Sequence, residues 1–462
     1  MRIRTFICFI LTVQIVLILT GCSIGMDVEA LLRPPRPAGE QQKIQQALDE
    51  YINSTQQKNA PDAPGGYVLK YPNSGDYRSA FVIKDLDNDG KDEAIVFYRR
   101  GIEGSKINLN FLRKLETGWQ SVCNIEGAST NIERVQFADL DSDGVLEVLT
   151  GWNMDNLRDK QLVMYLVTGD RLIERHTDLY TEFIVGKLTN LSNDCVMVLH
   201  ANAPENITTA KLLTAGIDSI TGQTSLVELG SARLDGYIQQ FSTVQTAELG
   251  DNLRGVYADG IKDTDSLVTE LVYWDGKQLC APFYNKEKNA NTTSYRKALL
   301  PSMDLDGDGT VEWPLIRNLM GYTQSGKDKI WFTSWEGFDV ATNQTKEKFS
   351  CIINMTDNYS LLIDKSWENQ FTLSYDMQTH TLTLYSLATG SENKPFLIIK
   401  AVFGTEPTQT GTGDDASSAK VDMPELSEFE TVRNVRFFAW VSPEKPFSLS
   451  MERLRYMFSL LQ

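Results

Sequence analysis

Asp85-Leu-Asp-Asn-Asp-Gly-Lys-Asp-Glu93 returns, with changes, as Asp139-Leu-Asp-Ser-Asp-Gly-Val-Leu-Glu147 and Asp304-Leu-Asp-Gly-Asp-Gly-Thr-Val-Glu312. Each copy sets carboxylates at positions 1, 3, 5 and 9 and glycine at position 6. Hard oxygen donors at this spacing, folded back by a tight turn, suit Ca2+. The candidate side-chain ligands are Asp85, Asp87, Asp89 and Glu93, then Asp139, Asp141, Asp143 and Glu147, then Asp304, Asp306, Asp308 and Glu312. Position 7 offers a backbone carbonyl, from Lys91, Val145 or Thr310. Gly90, Gly144 and Gly309 stand where the backbone must enter a region that Cβ resists. A helix–loop–helix calcium site needs a bidentate Glu at position 12. That position holds Val96, Thr150 and Leu315. The flanks Ser79-Ala-Phe-Val-Ile-Lys84 and Ala94-Ile-Val-Phe-Tyr98 are rich in β-branched and aromatic residues, which favour strands. The loops therefore read as strand connections, with the ion closed by the Glu at position 9.

The spacing of the loops organises the chain. Asp85 to Asp139 is 54 positions, and Asp139 to Asp304 is 165, close to three such intervals. Two degenerate copies are expected between. Glu182-Phe-Ile-Val-Gly-Lys-Leu-Thr189 matches the approach to a loop without its acids, and Thr243-Val-Gln-Thr-Ala-Glu-Leu-Gly250 is a poorer second. Ser350-Cys-Ile-Ile-Asn-Met-Thr356 is a further candidate downstream. Each interval holds about four strand-sized apolar runs, the content of one propeller blade. Turn pairs such as Thr117-Gly118, Gly169-Asp170 and Asp275-Gly276 separate the runs. The expected fold is an all-β β-propeller of about seven four-stranded blades, with six or eight also compatible with the repeat.

A strand–DxDxDGxxE–strand unit at blade spacing resembles the FG-GAP/VCBS type of propeller repeat, over roughly Tyr67 to Leu387. Glu at position 9 departs from that family, where Asp is commoner. The resemblance implies an extracytoplasmic binding or adhesion module, less often the scaffold of a sugar-active enzyme. Blades lacking the acids would be structural, without metal.

The ends of the chain suggest where it works. Residues 1–21 read as a signal: Arg2 and Arg4 precede an apolar run, Thr5 to Ile18, too short to cross a bilayer. Leu19-Thr20-Gly21-Cys22 resembles a bacterial lipobox, which implies cleavage before Cys22 and lipidation of its sulfur. Two acyl chains suffice for stable anchoring. An extracytoplasmic protein, held to the bacterial cell membrane through lipid, is expected. Residues 22–66 would form a tether, with Arg33-Pro-Pro-Arg-Pro37 as a stiff spacer. One short helix is expected from Gly39 to Asn53, with Ile44, Leu48 and Ile52 on one face. The propeller follows over 67–403, then a flexible Thr/Gly/Asp/Ser-rich loop over 404–420. Residues 421–462 would supply a closing strand for the ring or a small cap, with a helix from Ser450 to Leu461.

Net charge is −17, which leaves no electrostatic footprint for nucleic acid. Cys123, Cys195, Cys280 and Cys351 are widely spaced with no CxxC and read as buried free thiols. The only histidines are His176, His200 and His380, and no HExxH, GxSxG, P-loop or dinucleotide fingerprint occurs. Trp331, Thr333 and Trp335 alternate onto one strand face, where packing between blades outweighs a sugar-stacking role. The sequons at Asn291 and Asn354 carry no weight beside a bacterial lipobox. The expected function is non-catalytic binding of a surface protein or glycan. The alternative is a calcium-dependent polysaccharide-active enzyme, in which Lys, Arg or Tyr can serve as base.

Overall fold

The apolar runs on either side of each acidic loop pair with one another. Phe81–Lys84 and Glu93–Arg100 run antiparallel with Lys84 opposite Glu93, and Asn131–Ala138 and Glu147–Asn153 do the same with Ala138 opposite Glu147. Met303 and Glu312 form the matching bridge around the third loop. In each case the loop is a hairpin turn, and the Glu at position 9 opens the returning strand.

The computed structural model describes residues 39–59, 66–101, 104–154, 159–250, 252–322, 328–387, 394–404, 424–444 and 447–461. The expected signal, Cys22, the proline spacer and most of the 404–420 loop lie outside the described residues. No helix among the described residues is long and apolar enough to cross a membrane.

Among the described residues six large antiparallel sheets follow one another along the chain. The first contains Phe81–Lys84, Glu93–Arg100, Ile107–Leu115 and Gly118–Glu126, with Tyr67–Leu69 added beside Glu93–Arg100. The second contains Asn131–Ala138, Glu147–Asn153, Lys160–Thr168 and Arg171–Tyr180. The third contains Glu182–Gly186, Cys195–Asn202, Ile207–Ile217 and Thr224–Leu234. The fourth contains Gln240–Gly250, Leu253–Ile261, Leu267–Trp274 and Leu279–Cys280. The fifth contains Trp313–Ile316, Ile330–Asp339, Gln344–Asn354 and Tyr359–Ile363, extended by Phe458–Leu460. The sixth contains Phe371–Asp376, Thr381–Ser386, Pro395–Phe403, Val435–Val441 and Ser427–Val432, in that spatial order. Tyr284–Asn285 and Ala290–Asn291 form a separate small hairpin.

Each interior sheet is buried on both faces, which is why its central strands read as continuous apolar runs. Side chains alternate across a strand. In the second sheet Val148 and Trp152 face Phe97 and Phe111 of the first, while Leu149 and Met164 face Phe183 and Val196 of the third. Met197 and Leu199 then meet Val256 and Val272 of the fourth. Tyr257 and Leu271 meet Trp313 of the fifth, and Ile330 and Ile352 meet Phe371 and Leu397 of the sixth. The first strand of the third sheet also lies against the first strands of the second and fourth.

Three expectations are revised. Among the described residues the large sheets number six, one of the counts the repeat allowed and not the seven it favoured, because the repeat is not constant. First strands begin at Phe81, Asn131, Glu182 and Gln240, but the next units start at the Met303 bridge and Phe371, after the added hairpin and longer connections. Ser350 to Thr356 accordingly lies at the end of a third strand and opens no new sheet. The C-terminal segment extends the fifth and sixth sheets instead of closing onto the first, and among the described residues no apolar cluster joins sixth to first. Finally, the short tether helix is a 20-residue helix, α1 (Glu40–Asn59), that belongs to the folded unit. Its Ile44, Ala47, Leu48 and Ile52 cover Ala94, Val96, Tyr98 and Leu112 of the first sheet, an apolar face with no sheet beside it. Trp119 Nε1 donates to Glu40 at 2.8 Å and the Tyr67 hydroxyl to Asp49 at 2.7 Å, which pins both ends of the contact.

Candidate metal centres

The three acidic hairpins share one hydrogen-bond plan. The position-1 carboxylate accepts the position-6 amide: Gly90 to Asp85 at 3.0 Å, Gly144 to Asp139 at 3.3 Å and Gly309 to Asp304 at 2.9 Å. The position-5 carboxylate accepts the position-7 amide: Lys91 to Asp89, Val145 to Asp143 and Thr310 to Asp308, at 2.8, 2.8 and 2.9 Å. The position-9 carboxylate accepts the amide of the position-2 leucine: Leu86 to Glu93, Leu140 to Glu147 and Leu305 to Glu312, at 2.9, 2.8 and 3.2 Å. Gly90, Gly144 and Gly309 have φ of 84°, 86° and 88°, as their place in the pattern requires. Position 4 is left-handed as well, at Asn88, Ser142 and Gly307.

The position-2 leucine is a working part that reading for carboxylates passes over. Its repetition as Leu86, Leu140 and Leu305 was visible in the sequence. Its amide holds the buried glutamate, and Leu86 and Leu140 are themselves buried, so the acidic turn is anchored to the core from its second residue.

Within each hairpin three acids converge. Oxygens of Asp85, Asp87 and Glu93, of Asp139, Asp141 and Asp143, and of Asp304, Asp306 and Asp308 lie within 4.8 Å of one another in each set. Asp89, Glu147 and Glu312 stand outside these triads. Asp85 Oδ1, Asp87 Oδ1 and Asp139 Oδ1 are buried without a hydrogen-bond partner. A buried, unpaired carboxylate oxygen is costly, and a cation relieves it. These acidic clusters could hold a metal ion, and their all-oxygen donor set fits a hard one.

Their surroundings differ. At the first loop, Arg113 reaches Asp87 at 2.7 Å and lies 3.7 Å from Glu93, while also pairing with Asp170. At the third loop, the Lys348 ammonium lies 2.5 Å from Asp308 and 2.7 Å from Glu312. At the second loop no Lys or Arg among the described residues pairs with Asp139, Asp141, Asp143 or Glu147. Burial, reinforced by Asp141, Asp143 and Asp139, pushes the Glu147 carboxyl up to about 7 against the Leu140 amide bond. Burial and then Asp143 raise Asp141 too. The hydrogen bond from Lys348, then that from Thr310, holds Asp308 down at about 2.

The hairpins are stitched together at this end of the sheets. The Leu146 amide donates to the Leu86 carbonyl at 2.7 Å, and the Asp194 amide to the Asp139 carbonyl at 3.0 Å. Asp194 sits in the third sheet's own hairpin, the degenerate copy. There Leu188 is buried as Leu140 is, but Lys187 replaces the first aspartate and Cys195 the glutamate. Lys187 Nζ donates to the Ser192 carbonyl at 2.7 Å across the turn.

At the opposite end of the sheets lies a cleft of about 540 Å3, lined by Asp159, Lys160, Thr181, Glu182, Asn202, Gln239, Gln240 and Phe241. It gathers strand ends of the second, third and fourth sheets. Beneath it Arg134 pairs with Glu133 at 2.7 Å and with Glu182, and the Tyr180 hydroxyl donates to Glu133 at 2.9 Å. Burial opposes ionisation of Glu133, but hydrogen bonds from Arg134 and Ser74 hold it down at about 2. Lys160 Nζ stands 3.5 Å from Glu133 and 5.5 Å from the Tyr180 ring centre. His200 Nε2 is 3.3 Å from Asp159.

The remaining sequence candidates are placed as follows. Trp335 and Thr333 are buried, Trp335 Nε1 donates to Thr333 at 2.9 Å, and Trp331 packs against the same cluster, so this face is core. Asn291 and Asn354 are fully buried. Cys195 and Cys351 are buried thiols, whereas Cys123 and Cys280 are only partly covered, the latter at a strand edge. His380 lies 2.6 Å from Asp357, and burial lowers the pKa of His176.

No protein-family model and no curated protein matches the chain. Among solved structures the chain is similar to an exotype rhamnogalacturonan lyase, YesX, at 12% identity and a TM-score of 0.26, covering 67% of this chain and 60% of that one. It is similar also to the Bacillus licheniformis rhamnogalacturonan lyase PL11, at 12% identity and a TM-score of 0.25, covering 67% of this chain and 59% of that one. The chain thus spans about three fifths of the length of these neighbours.

Proposed function

We propose that this chain is a calcium-stabilised, lipid-anchored β-propeller of the FG-GAP/VCBS type that binds a glycan on the bacterial cell surface without chemical turnover. The six successive sheets, packed face to face with first strands side by side, support the propeller reading. The repeated hairpin geometry supports Ca2+ held by the acids at positions 1, 3, 5 and 9, with the carbonyls of Lys91, Val145 and Thr310 as further ligands. Lipidation at Cys22 would place the unit outside the cytoplasm.

The observation that carries the binding reading is the polar cleft. Thr181, Asn202, Gln239 and Gln240 each both donate and accept hydrogen bonds, which is what a run of sugar hydroxyls demands. Lys160, Asp159 and Glu182 bring both charges, so a neutral polar ligand is favoured over a strongly ionic one. A cleft of about 540 Å3 falls in the usual ligand-site range of roughly 300–1,000 Å3. Calorimetric titration with oligosaccharides of defined composition tests this. Gln240→Ala and Asn202→Ala should each weaken binding about tenfold, the scale of one lost hydrogen bond. Equal affinities for parent and both variants would remove the cleft from the function.

A second reading, a polysaccharide-active enzyme, draws on Lys160 and on His200 beside Asp159 in the same region. Sustained release of product from a polysaccharide, lost in Lys160→Met, would favour it over binding alone.

A further inference from the structure

The third acidic hairpin is filled from an unexpected direction. Lys348 belongs to Gln344–Asn354, the third strand of the fifth sheet, 36 positions from Glu312. Its ammonium donates to Asp308 Oδ2 at 2.5 Å, to Thr310 Oγ1 at 2.7 Å and to Glu312 Oε1 at 2.7 Å, and Asp306 lies at 3.8 Å. All three ammonium donors are used, on residues of the same loop that would ligate an ion.

Two backbone features deliver it. The register between Ile330–Asp339 and Gln344–Asn354 pairs Trp335 with Phe349 but Glu336 with Glu347, so Lys348 is the extra residue of a β-bulge. Bulges re-aim a side chain. The Lys348 stem then crosses Gly337, where an added Cβ would stand 3.3 Å from Cε and 3.6 Å from Cδ. Beside this path opens a cleft of about 450 Å3, whose walls include Asp306 and Asp308 on the loop side and Glu248, Asp339 and Glu347 away from it. The ammonium therefore has both a place in the loop and an acidic wall outside it, where Glu248 pairs with Arg254, Glu347 pairs with Arg317 at 2.6 Å, and Asp339 has no salt bridge among the described residues.

The degenerate hairpin of the third sheet supplies an independent parallel. There the acids are lost and Lys187 spans the turn to the Ser192 carbonyl. The same hairpin frame thus accepts an ammonium of the chain itself.

We propose that Lys348 is a built-in, displaceable cation of the third acidic loop. It holds the carboxylates together until a divalent ion enters, and it then swings into the adjoining cleft between the fourth and fifth sheets. The second loop, with no basic partner, would bind Ca2+ first, and the third would respond only at higher concentration. This inference rests on reading the hairpins as calcium sites, and its test separates the two.

Calcium titrations of the full chain and of Lys348→Met, by calorimetry, should show one site at least tenfold tighter in the variant. Amine acetylation of the parent, read by mass spectrometry, should show Lys348 protected in chelator and reactive in saturating calcium. The footprint needs no substitution, so it decides the matter even where the variant folds poorly. Unchanged isotherms, or Lys348 reactivity indifferent to calcium, would overturn the proposal while leaving calcium at the second loop intact. Absence of calcium binding to either protein would overturn both readings together.

Discussion

Glu147→Gln should stabilise the calcium-free protein, although it removes a carboxylate proposed as a ligand of the second loop. Glu147 is 3% exposed and its carboxyl is raised from 4.5 to about 7, first by burial and then by Asp141, Asp143 and Asp139. A raised carboxylate pKa means that folding disfavours the ionised form. The penalty is absent below the unfolded value of 4.5, grows as pH rises, and is complete above about 7. At about 1.36 kcal/mol per unit, the displacement corresponds to roughly 3 kcal/mol. Gln keeps an oxygen for the Leu140 amide, bonded at 2.8 Å in the parent, and carries no charge to bury. In chelator near pH 8, urea unfolding followed by tryptophan fluorescence should therefore show Glu147→Gln more stable by up to about 3 kcal/mol, and near pH 5 the two proteins should converge. In calcium the order should reverse, because an ion bound only to the folded state stabilises the parent by mass action. A variant less stable than the parent in chelator at the higher pH would refute this account of the loop.

Three further outcomes follow from the same geometry. Asp141→Ala should lower apparent calcium affinity by about tenfold or more, since a hard cation loses one of its few charged ligands; matching titration curves would remove Asp141 from the site. Leu48→Ala should cost about 2–5 kcal/mol in a denaturant melt, because Leu48 is fully buried between α1 and the first sheet; a loss below about 0.5 kcal/mol, the scale of a surface substitution, would mean that the helix does not dock. Chelation should weaken oligosaccharide binding at the polar cleft as well as lower the melting temperature; a lowered melt with unchanged affinity would uncouple the two ends of the sheets.

What was legible in the sequence was what is local. Carboxylate spacing, the glycine at position 6 and the β-branched flanks all act within about a dozen residues, and the hairpins formed where they pointed. The strands themselves were legible too, as apolar runs such as Glu93–Arg100. The sheet count was not, because the small hairpin at Tyr284–Asn291 and the long link from Ile316 to Ile330 stretch a period that the first two loops make look constant. The stripe Ile44, Leu48 and Ile52 announced a helix but not its partner, which lies in strands that pair with other strands first. Lys348 was invisible for a different reason. Nothing in Lys346-Glu347-Lys348 marks a bulge, and only the register against Glu336 and the bare backbone at Gly337 turn its ammonium toward the loop. The cleft likewise joins Lys160, Glu182, Asn202 and Gln240, which chain order separates and three sheets bring together.

On the proposed calcium reading, the division of the molecule into two ends would give the acidic hairpins a purpose beyond holding ions. The first strand of the second sheet, Asn131–Ala138, runs from the side of the cleft to the second acidic loop, and Glu182–Gly186 runs the same way toward the Lys187 turn. An eight-residue strand is about 26 Å long. A tilt of about 5° at the loop end would shift the far end by roughly 2 Å over that length, enough to break a hydrogen bond whose usual span is about 2.7–3.2 Å. At the loop end the first and second sheets are tied by the Leu146 amide to the Leu86 carbonyl and by Arg113 to Asp170, and the second and third by the Asp194 amide to the Asp139 carbonyl and by Asn193 to the Leu140 carbonyl, contacts made in or beside the acidic turns. On the calcium reading proposed above, neutralising the acidic turns, by an ion at the second loop or by the Lys348 ammonium at the third, would fix the angle between neighbouring sheets. The cleft at the other end inherits that angle. On that proposal calcium would govern binding without touching the ligand, through strands stiff enough to carry the geometry from one end to the other.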